Sequence, residues 1–111
     1  MEHIKITRIQ AFKSSEDSNT LGYAHITLDD AFVVRNLRLV KGRKGLFLGM
    51  PSYRTRSGSY SDIFFPVSRE ARQILTEAVF EAFREQHPEL VEGQVVYEVE
   101  DEPREVFASM R

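Results

Sequence analysis

The hydrophobic pattern of this chain changes its period near residue 68, and this change restricts the fold. Before that point, apolar and polar side chains alternate in several short segments, which is the pattern of half-buried β-strands. After it, apolar residues recur every three or four positions, as on one face of an amphipathic helix. The pattern predicts an α+β fold with an antiparallel sheet of about five strands, followed by one amphipathic C-terminal helix and an acidic tail.

The alternating region also predicts where strands bend and end. Its apolar face shifts by one position near Thr7-Arg8 and again near Arg35-Asn36, which predicts two β-bulges. Asp29-Asp30 is a predicted turn, and Gly42 and Gly45 bracket another. The predicted strands are residues 3–12, 21–28, 31–40, 46–50 and 62–67, and residues 53–60 are predicted to form a polar loop with Gly58 at its tip.

The helix has clear signals at both ends. Ser68 is a favourable N-cap, and His87-Pro88 ends the helix because proline restricts the residue before it. Arg72 and Arg84 are expected to face water, and residues 94–99 are predicted to add one strand after the helix. The apolar stripe that should pack on the sheet consists of Ala71, Ile74, Leu75, Ala78, Val79, Ala82 and Phe83.

Positive charge is concentrated in one part of the chain. Residues 31–61 contain seven basic residues and no acidic residue, although the whole protein has a net charge of −2. Such an excess favours either an anionic partner such as a phosphate backbone or a solvated basic face. The chain is predicted to divide into a basic domain, residues 1–88, and an acidic extension, residues 89–111, which is partly disordered or adds one strand. The extension is expected to weaken nucleic-acid binding, because its carboxylates either compete with phosphate for the basic domain or repel the polymer.

Sequence motifs for catalysis and cofactor binding are missing. The chain has no cysteine, and His3, His25 and His87 lie too far apart for a metal-binding motif. Asp29-Asp30 is better explained by a turn than by acid–base chemistry. We therefore expect no enzyme, metal, cofactor or small-molecule substrate. An apolar run long enough to span a membrane and a signal peptide are also missing, so we expect a cytoplasmic protein without a membrane partner.

Two basic turns are the candidate binding sites for nucleic acid. Gly42-Arg43-Lys44-Gly45 matches the backbone-clamping loop of KH domains, but strands flank it here, so a hairpin turn is the simpler interpretation. In residues 53–60, two arginines lie between two tyrosines. Arginine pairs with phosphate and tyrosine stacks on bases, although an ordinary solvated loop is the alternative. The candidate nucleic-acid-binding residues are Arg43, Lys44, Tyr53, Arg54 and Arg56.

Three blocks of sequence resemble the stage V sporulation protein G (SpoVG) family of septation regulators. They are residues 26–34 (ITLDDAFVV), residues 45–52 (GLFLGMPS) followed by Arg54-Thr55, and residues 60–67 (YSDIFFPV) before the helix. The resemblance covers roughly residues 1–87. It departs at Tyr53 and Ser61, where the family usually has basic residues, and stacking by Tyr53 is one way to replace a charge.

The resemblance implies a small cytoplasmic bacterial protein that is a homodimer and regulates septation or sporulation. Several members of the family bind DNA, and some bind RNA, without catalysis. The basic loop of the family matches Arg54 here. The alternative function is a protein–protein interaction module that acts in cell division through an exposed sheet edge or the acidic extension.

A dimer is expected because one helix covers only one face of a sheet and a chain of 111 residues buries little surface alone. Val33, Phe47 and Phe64 are candidates for the second buried surface. Light scattering at high micromolar concentration should give twice the monomer mass. A monomer mass under those conditions would contradict this prediction.

Overall fold

Four strands of the computed structural model form one antiparallel sheet in the order β1-β2-β3-β4, and a separate hairpin follows them. The structure describes residues 5–15 and 18–97. The strands and helices within these residues are β1 (Ile6–Lys13), β2 (Thr20–Leu28), β3 (Phe32–Lys41), β4 (Leu46–Gly49), β5 (Ser52–Arg54), β6 (Tyr60–Asp62), α1 (Arg69–Gln86) and α2 (Pro88–Val91). The α+β class is confirmed, with the strands divided between a four-stranded sheet and a two-stranded one.

Two irregular positions of the sheet lie where the sequence predicts them, and a third, between Thr20 and Gly22 in β2, was not predicted. The register between β1 and β2 shifts between Ile6 and Arg8, and Arg35-Asn36 is the bulge in β3 opposite His25. Asn36 has a φ of 69°, a left-handed conformation that asparagine tolerates better than most residues. Asp29 and Asp30 also have positive φ angles, 51° and 53°, which suits the tight three-residue turn, residues 29–31, between β2 and β3.

The prediction of a strand at residues 62–67 is wrong. β6 spans Tyr60–Asp62, and residues 63–68 have no regular structure. Phe64 and Phe65 are adjacent and both pack against the core, which a strand cannot achieve because its neighbouring side chains point to opposite faces. Pro66 also lacks the N–H group that a sheet requires.

Helix α1 covers one face of the four-stranded sheet and forms the core with it. Ser68 caps the helix by accepting a hydrogen bond from Ala71 N at 3.1 Å, and His87 follows the last residue, so both predicted ends are confirmed. The largest side chains that are fully buried are Phe80, Phe83, Ile26, Leu37, Leu39, Leu46 and Val79. Gly22 leaves room for this packing, because a Cβ there would lie 2.8 Å from the Phe83 ring.

The buried face of α1 is rotated relative to the predicted stripe. Leu75, Val79 and Phe83 are buried as predicted, but Phe80 is buried as well. Arg72 is only 6% exposed, so the expectation that it faces water is wrong. The long apolar stem of an arginine packs well beside a core, and the packing of Phe80 turns this side of the helix toward the sheet.

The opposite face of the sheet, which we call the open face, carries Phe12, Tyr23, His25, Val33 and Phe47. The Phe12 and His25 rings contact each other, with their centroids 4.9 Å apart. Val33 is 60% exposed. Of the other two residues predicted to line a second buried surface, Phe47 lies against the Tyr97 ring and Phe64 packs on the core.

The end of α1 covers the outer edge of β1. The Gln86 side chain accepts a hydrogen bond from Ala11 N at 2.9 Å and donates one to Ile9 O at 3.0 Å. The His87 Nε2 atom lies 3.1 Å from Ala11 O. Because an exposed strand edge is prone to pair with other chains, these side chains protect β1 by acting in place of a further strand.

Residues after α2 reach the other edge of the sheet. Leu46 N donates to Val95 O at 2.7 Å and Tyr97 N donates to Leu46 O at 2.9 Å, which forms a parallel bridge between Leu46 and Val96. Of the strand predicted at residues 94–99, the described residues therefore form one bridge, at Val96. Glu98 and Val99 lie outside the described residues.

The edge contact of Gln86 should contribute measurably to stability. Replacing Gln86 with Ala removes two hydrogen bonds to β1, which we expect to lower the free energy of unfolding by about 1–2 kcal/mol. The neighbouring Glu85 is exposed, so Glu85→Ala is a matched control that should change stability by less than about 0.5 kcal/mol. Urea denaturation measures both values, and equal stability of the two variants would contradict the assigned role.

Candidate nucleic-acid interface

The turn between β3 and β4 presents two cations at its tip. Gly42 N donates to Gly45 O at 2.8 Å, which closes the turn, and Arg43 and Lys44 between them are exposed. Strands flank the Gly-x-x-Gly segment on both sides, so its interpretation as a hairpin turn is confirmed. The two side chains are held apart from the core and are accessible to an anion.

Residues 53–60 form a hairpin with a hydrogen-bonded tip, which corrects the predicted polar loop. Tyr53 and Arg54 belong to β5, and Tyr60 belongs to β6. Thr55 organises the tip, because its N–H group donates to Ser59 O at 2.7 Å and its hydroxyl oxygen lies 3.1 Å from the same atom. Gly58 at the tip has a φ of 90°, as its predicted position required. The local polar composition gave no sign of this strand pairing, which depends on both halves of the segment.

The register of this hairpin places Arg54 directly opposite Tyr60. Tyr60 is 72% exposed and was not among the residues predicted to bind nucleic acid. Directly opposed residues share one face of a sheet, so a guanidinium group and an accessible aromatic ring lie side by side. Tyr53 pairs with Ser61 on the other face, where Tyr53 is 55% exposed and Ser61 is buried. Sequence analysis missed Tyr60 because its pairing with Arg54 depends on the register of the two strands, which neighbouring residues alone do not reveal.

The two basic turns lie at opposite ends of β4. Arg43 and Lys44 precede this strand, whereas Arg54 and Arg56 belong to the hairpin that follows it. At about 3.3 Å per residue, β4 separates the two turns by roughly 10 Å or more. The five predicted site residues therefore do not converge on one point but are divided between the turn before β4 and the hairpin after it.

Arg38 is the one member of the basic run that has a structural role. Its side chain is half-buried, packs on Gly49 and donates a hydrogen bond to Met50 O at 3.3 Å. The other basic residues between positions 31 and 61 are exposed: Arg35, Lys41, Arg43, Lys44, Arg54 and Arg56. Most of the local positive charge in the sequence is thus available at the surface.

Negative charge is concentrated on helix α1. The outward face of α1 carries four exposed glutamates: Glu70, Glu77, Glu81 and Glu85. Glu81 pairs with Arg84 at 3.2 Å, an exposed ion pair that contributes little stability. These carboxylates belong to the helix and the exposed cations belong to the strands and turns before it, so the small net charge of the chain conceals an uneven distribution.

The histidines and membrane-related features give no competing site. His25 accepts a hydrogen bond from Asn36 N at 3.3 Å, His87 lies at the end of α1, and His3 lies outside the described residues. Within residues 5–15 and 18–97, no His, Asp and Glu side chains cluster as metal ligands. The helices in this part of the chain are also too short or too polar to cross a membrane.

Comparison with known proteins identifies the family. The SpoVG family model matches residues 4–85, which include the whole sheet, the β5–β6 hairpin and nearly all of α1. The chain belongs to the SpoVG family. Residues 86–97, which protect both edges of the sheet, lie beyond the matched region.

Three SpoVG relatives illustrate the extent of the similarity. Each is named "Putative septation protein SpoVG". The Archaeoglobus fulgidus protein is 44% identical over 82 residues, covering 74% of this chain and 96% of the relative. The Macrococcus caseolyticus protein is 43% identical over 82 residues, covering 74% and 71%. The Borrelia hermsii protein is 34% identical over 92 residues, covering 83% and 94%. Because Archaeoglobus is an archaeon, family membership alone does not indicate a bacterial source.

Proposed function

We propose that this SpoVG protein is a non-catalytic regulator of the septation and sporulation type that binds DNA, and RNA as a second ligand, in the cytoplasm. The observation that carries the proposal is the exposed basic surface formed by the two turns at the ends of β4. Its cations have no acidic residue between positions 31 and 61 to balance them. A surface of this kind gains free energy by binding a polyanion and releasing its counterions.

The spacing of the cations favours an extended polymer over a small anion. A single phosphate group is bound best when several donors converge on it, whereas these side chains are distributed along β4. The phosphates of a nucleic-acid strand are distributed in the same way. Phosphate contacts of this type position the polymer and carry no sequence information.

The Arg54–Tyr60 pair adds a means of contacting bases. The guanidinium group is placed to pair with a phosphate while the exposed ring is placed to stack on a neighbouring base. Stacking of this kind requires an unpaired base, so Tyr60 favours single-stranded or locally opened nucleic acid. Tyr53, on the other face of the hairpin, is a second stacking candidate.

The proposed regulator is a homodimer, with the open face of the sheet as the contact between subunits. The exposed Val33 and Phe12 on this face lack the cover that α1 gives to the opposite face. The alternative function, a protein-interaction module that uses a sheet edge, is less well supported. Gln86 covers the edge of β1, and residues 95–97 lie along the edge of β4.

The basic residues are tested by the salt dependence of binding. We expect the slope of log K against log salt to become shallower when Arg43, Lys44, Arg54 or Arg56 is replaced singly with Ala. The expected change corresponds to about one released ion, roughly 0.9 on duplex DNA and 0.7 on single strands. The losses should be similar on unrelated sequences. Fluorescence anisotropy at several salt concentrations measures the slope.

The exposed Arg84 on α1 provides a matched control. Arg84→Ala removes one positive charge on the acidic side of the molecule and should leave the slope nearly unchanged. The variant with all four turn residues replaced should fold, since each side chain is exposed. If that folded variant binds nucleic acid like the parent, the assigned surface is wrong and the protein-interaction function takes its place.

The two tyrosines of the hairpin are tested separately. Loss of a stacking ring should weaken binding to single strands by roughly 1–3 kcal/mol, with little change in the salt slope because no charge is removed. We expect this result for Tyr60→Ala, and for Tyr53→Ala if the polymer contacts both faces of the hairpin. Replacement of either tyrosine with Phe should preserve binding. An unchanged affinity of both alanine variants would exclude stacking on the hairpin.

A further inference from the structure

A row of side chains crosses the open face of the sheet from β1 to β3 and ends on a glycine of β4. Phe12 pairs with Tyr23. Tyr23 in turn pairs with Arg38, and Arg38 pairs with Gly49. Directly opposed residues point to the same face of a sheet, so two aromatic rings and a guanidinium group lie side by side. We call Phe12, Tyr23 and Arg38 the open-face row. Neighbouring strands are about 4.8 Å apart, so the row with its glycine is roughly 14 Å long.

The Arg38 guanidinium group lies with its flat side on Gly49. A Cβ on Gly49 would lie 3.0 Å from Nη2, 3.2 Å from Cζ and 3.3 Å from Nε of Arg38. Since these three atoms are nearly equidistant from one point, the glycine lies under the plane of the group and not at its edge. A hydrogen bond of 3.3 Å from Nη2 to Met50 O holds this orientation. One flat side of the guanidinium group therefore packs on Gly49, and the other faces away from the sheet.

The open-face row is accessible, and its surroundings are basic. Phe12 is 42% exposed, and Tyr23 and Arg38 are half-buried, as expected for flat groups that lie on a sheet and expose one side. Arg8 is exposed on the same face of β1, about 13 Å from Phe12 along the strand. The sequences of β1–β4 contain no aspartate or glutamate. The open face thus combines flat π surfaces with cations.

We propose that the open-face row is a stacking platform for single-stranded nucleic acid. Unpaired bases have accessible flat faces, and aromatic rings and arginine planes bind such bases by stacking. The three members of the row provide room for two or three bases of one strand, and the charges of Arg8 and Arg38 attract the phosphates between them. This inference rests on the proposed function and adds a second contact, separate from the basic turns, that selects single strands over duplexes.

A single strand and a second subunit exclude each other from the open face. A second copy of this chain offers no carboxylate from its own four strands to Arg8 or Arg38, whereas a single strand supplies phosphates to both. The single strand is therefore the favoured occupant when both are present. Because a ligand that binds only one state shifts the equilibrium toward it, binding of a single strand on this face dissociates the dimer.

Binding of a short oligothymidylate, compared with binding of duplex DNA, tests the platform. Phe12→Ala and Arg38→Lys each remove a flat group and should weaken binding of the oligothymidylate at least about fivefold. The salt slope should stay unchanged, because neither substitution removes a charge. Affinity for the duplex should change by less than about twofold, since its bases are already paired and stacked.

Two substitutions serve as controls for these variants. Phe12→Tyr keeps an aromatic ring in the row and should bind the oligothymidylate like the parent. Val67 is 71% exposed and directly precedes the N-cap of α1, the helix that covers the other face of the sheet. Val67→Ala should therefore change neither affinity. Equal weakening by Phe12→Ala and Val67→Ala would overturn the platform, because the loss would not depend on the open face.

NMR of the full-length parent protein locates the bases without any substitution. Intermolecular nuclear Overhauser effects should connect the ring protons of Phe12 and Tyr23 with thymine methyl groups. This measurement keeps the test independent of Arg38→Lys, which also alters the hydrogen bond to Met50 O. Contacts from the tyrosines of the β5–β6 hairpin alone, in a protein that binds the oligothymidylate, would overturn the platform.

Light scattering of the complex tests the exchange with the second subunit. With saturating oligothymidylate, the mass should fall to one protein chain per complex. A dimer mass together with thymine contacts from Phe12 would support the platform and place the contact between subunits elsewhere. A Phe12→Ala variant that is monomeric but binds the oligothymidylate like the parent would overturn the platform, because the open face would then hold only the second subunit.

The turn variants separate this inference from the proposed function. If replacing the four basic residues of the turns abolishes binding while the open-face variants bind like the parent, the proposed function stands and the platform is refuted. If the parent binds neither the oligothymidylate nor the duplex, both are refuted. Selective loss of oligothymidylate binding in the open-face variants, with loss of both ligands in the turn variant, would support both.

Discussion

The packing of α1 against one face of the four-stranded sheet determines what the rest of the molecule presents to solvent. Phe80 and Phe83 are almost completely buried between the two layers. Because one helix covers only one face, the open face and the turns beyond the sheet remain accessible. Every residue of the candidate interface lies on an element that α1 does not cover. The candidate interface is therefore supported by a core to which its own exposed residues contribute little.

The segment that follows this core protects both edges of the sheet. Gln86 and His87 cover β1 at the end of α1, and eight residues farther along the chain Val95 reaches β4. Pro88 ends the long helix and begins the short one that directs the chain across the sheet. An unprotected edge favours pairing with other chains, so these contacts lower that tendency at both edges of the sheet.

Electrostatic separation explains how a chain with a net charge of −2 can present a basic surface. The helix holds glutamates on its outward face, and the turns hold cations beyond the sheet. Net charge describes the field far from a protein, whereas a bound polymer responds to the charges within about one Debye length.

Local signals in the sequence determined the first four strands and helix α1, whereas tertiary packing determined the β5–β6 hairpin and how the elements face one another. The cap at Ser68, the Asp29-Asp30 turn and the bulge at Arg35-Asn36 each depend on a few neighbouring residues, so they could be predicted. The burial of Arg72 depends on the rotation of α1 against a sheet distant in sequence. The Arg54–Tyr60 pair depends on a hairpin register, and the contact of Val96 with Leu46 joins positions 50 residues apart. Such contacts depend on how all the elements pack together, so no local sequence pattern predicts them.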